Sequence, residues 1–110
     1  MIESLHQLIS QRGFDELRPA VESRFRAHGV RYTIHYGDTP PTSSLFVRLE
    51  SEERIGEVCA WESGDCEVQF AEFKKDGVKS VHHQLISDRD FHSRLADVFL
   101  FVTQKEFANP

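Results

Sequence analysis

Between Val30 and Ile86 the apolar residues stop recurring at helical spacing and begin to alternate, and this change of period restricts the fold more than any other property of the chain. Val30, Tyr32, Ile34 and Tyr36 are separated by Arg31, Thr33 and His35, the pattern of a strand with one buried face. Four further runs follow: Leu45 to Glu50, Arg54 to Glu62, Cys66 to Phe73 and Val78 to Ile86. The segments between these four, Ser51 to Glu53, Ser63-Gly64 and Asp76-Gly77, are too short for a crossover, so successive strands must run antiparallel. The expected centre of the fold is an antiparallel meander of four to five strands. Gly37 to Ser44, which contains Asp38, Pro40 and Pro41, reads as a loop.

Helical spacing returns at both ends. Ile2, Leu5, Leu8 and Ile9 predict a first helix over Ile2 to Ser10, ended or bent by Gly13. Pro19 is tolerated in the first turn of a helix and costly deeper inside, which places the start of a second helix near Arg18. It should run to His28 and close at Gly29, with Val21, Phe25 and Leu17 inward. A last helix is expected from the Ser87-Asp88-Arg89-Asp90 run, where Ser87 or Asp88 can cap and the acids suit the helix dipole. Phe91, Leu95, Val98, Phe99 and Val102 form its core stripe, which Leu100 and Phe101 widen, and the tail from Glu106 to Pro110 should fray. At 110 residues this is one α+β domain with helices on one sheet face.

Strand pairing can be tried against the apolar pattern. A two-residue Ser63-Gly64 turn opposes Trp61 to Cys66, Cys59 to Val68 and Glu57 to Phe70. A two-residue Asp76-Gly77 turn opposes Val68 to Leu85, Phe70 to His83 and Glu72 to Val81. With a three-residue turn before Arg54, Leu45, Val47 and Leu49 join the same side, and Trp61 is expected in the core. Glu57 and Glu72 fit this scheme badly, which marks them as sheet margin or signals a one-residue slip. The opposite face then carries Phe46, Arg48, Val58, Ala60, Glu62, Glu67, His82 and Ile86 among others, a mixture suited either to a protein interface or to partial cover by one of the N-terminal helices.

Charge is regional. From Glu50 to Glu72 there are eight acids and one base, Arg54, a net of −7 in a chain whose total is −5. Interspersed signs are the norm on a surface, so this segment suits docking onto something basic. Glu50, Glu52, Glu53, Glu62, Asp65 and Glu67 are the expected partner-binding carboxylates, from the open sheet face and the turns. The same acidity argues against direct nucleic-acid binding. Arg18, Arg24, Arg26 and Arg31 are interleaved with Glu22 and apolar residues, as on a solvated helix face. The opening Met-Ile-Glu-Ser lacks a basic region leading into an apolar stretch, and no run approaches membrane-spanning length, so a cytoplasmic protein without membrane contact is expected.

No catalytic or metal site is expected. His82 and His83 would point to opposite faces of a strand and cannot easily share an ion. Cys59 and Cys66 sit in strand patterns as small hydrophobes, reduced rather than bridged, and their spacing matches no zinc motif. The glycines are isolated, with no phosphate-cradling loop and so no cofactor.

The hairpin Ala60-Trp61-Glu62-Ser63-Gly64-Asp65-Cys66-Glu67, set in an acidic helix–meander–helix chain, resembles bacterial immunity proteins that neutralise toxins delivered between competing cells. The resemblance is greatest to those of contact-dependent growth inhibition systems, in the group named for a ternary complex with elongation factor Tu. It implies a non-enzymatic, monomeric inhibitor of the C-terminal toxin domain of a large secreted effector. That domain is often a nuclease cleaving transfer RNA, and elongation factor Tu is admitted as a third partner. Two other readings stay open: an acidic secretion chaperone for a virulence effector, usually dimeric, and a small enzyme or ligand-binding domain with a pocket between helix and sheet.

Overall fold

A computed structural model of the chain describes residues 5–39 and 42–104. The order of elements is α1 (Leu5–Leu8), α2 (Gln11–Ala27), β1 (Arg31–Thr39), β2 (Thr42–Glu50), β3 (Arg54–Trp61), β4 (Asp65–Glu72), β5 (Lys79–Gln84) and α3 (Asp88–Thr103). The sheet is a five-stranded antiparallel meander in the order β1-β2-β3-β4-β5. α3 packs across β2, β3 and β4, and α2 against β1. The α+β architecture with helices on one face is therefore as expected. The predicted start of the first helix at Ile2, the Pro40-Pro41 pair and the tail from Glu106 lie outside the described residues.

Three element boundaries differ from expectation. α2 does not begin at Arg18 but runs through Pro19 from Gln11, capped by the Ser10 hydroxyl, which accepts from the Gly13 amide at 3.0 Å. The bond that Pro19 cannot donate is on the exposed side of the helix. Burying Phe14, Leu17 and Phe25 outweighs an interior-proline cost of about 3 kcal/mol. Gly13 allows the tight α1–α2 corner, where a Cβ would strike the carbonyl oxygens of Gln7 and Leu8. Second, Gly37, Asp38 and Thr39 are not loop but strand, paired with Ser44, Ser43 and Thr42. Third, β4 and β5 pair four residues away from the predicted register, with Val68 opposite Val81 and a longer connection at residues 73–78. An even shift preserves the faces, so Val68, Phe70, Val81 and Leu85 stay on the helix side. At α3 the Ser87 hydroxyl makes no cap bond, and Asp90 instead accepts from the Ile86 amide at 2.7 Å.

β3 is turned over relative to expectation. Ala60 faces Cys66, Val58 faces Val68 and Gly56 faces Phe70, so Gly56, Val58 and Ala60 are buried while Glu57, Cys59 and Trp61 line the other face. Two turns cause this together. Ser51 and Arg54 close a two-residue turn of Glu52 and Glu53, with the Ser51 amide donating to the Arg54 carbonyl at 2.9 Å. At the other end the loop is three residues, 62–64, closed by the Gly64 amide on the Trp61 carbonyl at 2.8 Å, with Gly64 at φ 101°. One turn is a residue shorter than predicted and the other a residue longer. β3 therefore slips against both neighbours while β2 and β4 keep their faces.

The core lies between this face and the helices. Leu45, Val47, Leu49, Val58, Ala60, Cys66 and Phe91 are fully buried, with Phe25, Val68 and Val98 beside them. The predicted α3 stripe is buried in full, but Leu100 does not widen it: it is 61 % exposed, and only Phe101 packs against the core.

Candidate functional site

The second face of the sheet is covered by no element among the described residues. Its side chains form cross-strand rows. Arg31, Glu50, Ile55 and Ala71 make one end, then Thr33, Arg48, Glu57, Gln69 and Ser80, then His35, Phe46, Cys59, Glu67 and His82. At the far end lie Ser44 and Trp61, with Asp65 and Gln84 paired beside them. Phe46 and Trp61 are diagonal neighbours across β2 and β3, both half-buried, with Cys59 opposite Phe46. The apolar patch of this face, towards its Trp61 end, is thus aromatic and only partly covered. Trp61, expected in the core, belongs to it, whereas Val58 and Ala60, expected on the open face, do not.

The acidic residues divide by their partners. Glu50 meets Arg31 at 3.5 Å and Glu57 meets Arg48 at 3.7 Å, exposed pairs that neutralise one end and the middle of the face. Glu72 points to the helix side and is held by Arg54 at 3.3 Å and Lys75 at 3.2 Å. Among the described residues Asp65 pairs only with His82, at 3.3 Å, and it accepts from the Ser63 hydroxyl at 3.1 Å. Glu67 makes no ion pair among the described residues and accepts from Ser80 at 3.1 Å. Glu62 sits on the turn next to Trp61, its amide donating to the Ser43 carbonyl at 2.9 Å.

The six carboxylates expected to act together are therefore not one cluster. Glu62, Asp65 and Glu67 gather at the Trp61 end. Glu52 and Glu53 lie at the opposite end of β3, about 23 Å away at strand rise. There they line a cleft of about 440 Å³ between the C-terminal ends of α2 and α3, together with His28, Arg31 and Gln104. Glu50 is nearer to this second group. Sequence reasoning missed Trp61 and Glu57 as surface residues. The available signal was the pair of acids, Glu57 and Glu72, that the assumed pairing buried: moving β3 by one residue releases Glu57.

Neither thiol is poised for chemistry. Cys59 and Cys66 are free and on opposite sheet faces. Burial pushes the Cys66 thiol up to about 11 from its ordinary 9.0, and burial with Glu57 and Glu67 nearby raises Cys59 as well. The folded state favours the neutral thiols. Their contribution to stability is thus complete below pH 9 and is lost as pH rises from 9 through about 11. At pH 8 a thiol reagent should label Cys59 slowly and Cys66 only after denaturant is added, as read by mass spectrometry of the intact chain. Equal rates in the native protein would contradict the burial of Cys66. His83, on the helix side, lies 3.4 Å from Arg94, and His82 is exposed on the other face, so the two imidazoles are separated by the sheet as expected.

No helix among the described residues is long and apolar enough to cross a membrane. No curated protein and no solved structure matches the chain. A protein-family profile described as immunity protein TriTu matches residues 19–101, from the middle of α2 through the whole sheet to the last turn of α3. The match spans most of the chain and all of the open face, so this protein belongs to the TriTu family of immunity proteins, whose role is to neutralise a cognate toxin.

Proposed function

We propose that the protein binds its toxin through the open sheet face, with Phe46 and Trp61 as the apolar anchors and Glu62, Asp65 and Glu67 as the charged contacts. The observation that carries this reading is the coincidence of a half-buried aromatic pair with two carboxylates, Asp65 and Glu67, that pair with no arginine or lysine among the described residues, on a sheet face that no described element covers. Aromatic residues near the centre of an interface contribute most of the affinity, while charges at its margin speed and orient the encounter. Glu50 and Glu57, already paired with arginines, lie beyond this patch, and Glu52 and Glu53 extend the negative field at the end of the sheet opposite Trp61.

The toxin in this reading is basic and acts on nucleic acid, specifically transfer RNA. A nuclease must present cations to phosphates, and an acidic partner competes for that surface. Inhibition is then occupation rather than chemistry, which agrees with two thiols held protonated. The protein works in the cytoplasm of the producing cell as a monomeric domain, with elongation factor Tu as a third component of the toxin assembly.

Co-expression with the toxin encoded by the neighbouring gene tests the reading, scored by rescue of growth. Glu62→Lys, Asp65→Lys and Glu67→Lys together should weaken toxin binding about 100-fold at low salt and flatten its salt dependence, without unfolding the domain. Unchanged affinity in a folded triple variant would place the interface elsewhere.

A further inference from the structure

Three of the four lysines in the chain, Lys74, Lys75 and Lys79, fall within six residues at the β4–β5 connection. The other bases of the described residues are arginines, and most are already engaged. Arg12, Arg18, Arg31, Arg48, Arg54 and Arg94 pair with acids, while Arg24 and Arg26 lie over the rings of Phe99 and Tyr32. Lys75 is paired with Glu72, but Lys74 and Lys79 make no ion pair among the described residues.

The same segment carries two of the large apolar side chains most open to solvent, Phe73 at 53 % and Val78 at 60 %. Beside them runs a groove of about 460 Å³ whose lining includes the Phe70 and Phe101 rings, packed edge to face at 5.1 Å, together with Lys75, Val78 and Lys79. A lysine on the edge strand β5 is explained by protection against unwanted pairing. That explanation does not extend to Phe73 and Val78, since edge protection replaces apolar surface with charge instead of exposing it.

We infer that this groove is a second docking site, which takes an acidic protein segment: an apolar side chain enters between Val78 and Phe101, and flanking carboxylates meet Lys74 and Lys79. Charge complementarity selects the occupant. The bordering acids are few: Glu72 is held by Arg54 and Lys75, Asp76 is the one acid within residues 73–79, and Glu53 touches the segment through its carbonyl, which accepts from the Phe73 amide at 2.9 Å. A basic toxin surface would be repelled here, so the occupant is a different protein from the one bound at Glu62, Asp65 and Glu67. Phe70 faces the helix side and Glu67 the open face, which leaves both sites free to be filled at once. Nucleic acid fits less well, because three lysines in a chain of net charge −5 offer little to a phosphate backbone and leave the apolar groove unexplained.

The test uses the full chain, isotope-labelled, and a short fluorescent peptide of alternating glutamate and leucine. Its glutamine-for-glutamate counterpart and a short single-stranded oligonucleotide serve as the other two probes. The acidic peptide should bind, with amide shifts confined to residues 73–79 and Phe101, and the glutamine peptide should bind at least about tenfold more weakly. Lys74→Glu with Lys79→Glu should lower affinity about tenfold or more, and Val78→Ser by a similar factor. Should the double reversal unfold the domain, Lys74→Gln with Lys79→Gln takes its place, with loss of salt dependence as the readout. Shifts mapping elsewhere, affinity insensitive to these variants, or tighter binding of the oligonucleotide at the same residues would each overturn the inference.

Discussion

Arg54→Ala is expected to lower the unfolding free energy by about 3–5 kcal/mol, the range found when one member of a buried ionic network is removed. Arg54 is the single base within the acidic segment, and it is 6 % exposed. Its Nη1 donates to the carbonyl oxygens of Phe101 at 2.9 Å and Gln104 at 2.6 Å, its Nε pairs with Glu72 at 3.3 Å, and its guanidinium lies 5.0 Å from the centre of the Phe101 ring. A helix leaves its last carbonyls without intrahelical donors and its C-terminal end partly negative, so a cation that donates to two of them satisfies both demands. Truncation to alanine leaves those carbonyls and Glu72 short of the partner that joins them across from β3. Arg54→Lys should recover only part of the loss, because one ammonium cannot span two carbonyls and a carboxylate as the planar fork does. Urea denaturation followed by circular dichroism measures both variants. A cost below about 1 kcal/mol for the alanine variant would mean that packing alone holds the end of α3 to the sheet.

The same arginine shows where sequence reasoning stopped. Arg54 was visible as an oddity in a run of acids, but its partners are 47 and 50 residues away at the end of α3, a distance no local pattern spans. Elements whose burial is decided by hydrophobicity were legible: β2 through Leu45, Val47 and Leu49, and α3 through Phe91, Leu95, Val98, Phe99 and Val102. In β3 hydrophobicity points the wrong way. Ile55, Cys59 and Trp61 are together more apolar than Gly56, Val58 and Ala60, yet the smaller set faces the core. Volume decides there, because a Cβ on Gly56 would lie 2.6 Å from Val98 Cγ1 and 3.4 Å from Val102 Cγ2. α3 comes so close to β3 at Gly56 that no side chain fits beneath it there. A glycine inside a strand is the sequence trace of such an approach. The candidate site inherited this error, since its aromatic residue Trp61 lies on the misassigned strand; Glu52 and Glu53 fall on a turn as expected, but Asp65 opens β4 and Glu62 lies in the turn, and the six carboxylates belong to two ends of the sheet instead of one surface.

Trp61→Ala should separate binding from folding in a way that only the observed register allows. Trp61 and Val58 are three residues apart on one strand and on opposite faces of the sheet. Val58 is fully buried against α3 and its replacement by alanine opens a cavity, at a cost of about 2 kcal/mol to stability. Toxin affinity should be nearly unchanged, because Val58 does not reach the open face. Trp61→Ala should do the reverse. Trp61 is partly exposed and lies outside the core, so its truncation should cost less than that of a core aromatic, about 1 kcal/mol. If the open face docks the toxin, affinity should drop about 30- to 100-fold, as for a central aromatic anchor. Most of that loss should appear as faster dissociation, since the carboxylates that steer the encounter are untouched. Denaturation curves and surface-plasmon kinetics on the two variants give four numbers. A Trp61→Ala protein that is strongly destabilised, or one that binds as tightly as the parent, would remove Trp61 from the interface. The triple charge reversal then decides whether the rest of the face goes with it. Faster dissociation for Trp61→Ala and slower association for the charge variant would assign the two halves of the affinity to the two kinds of residue that this sheet face brings together.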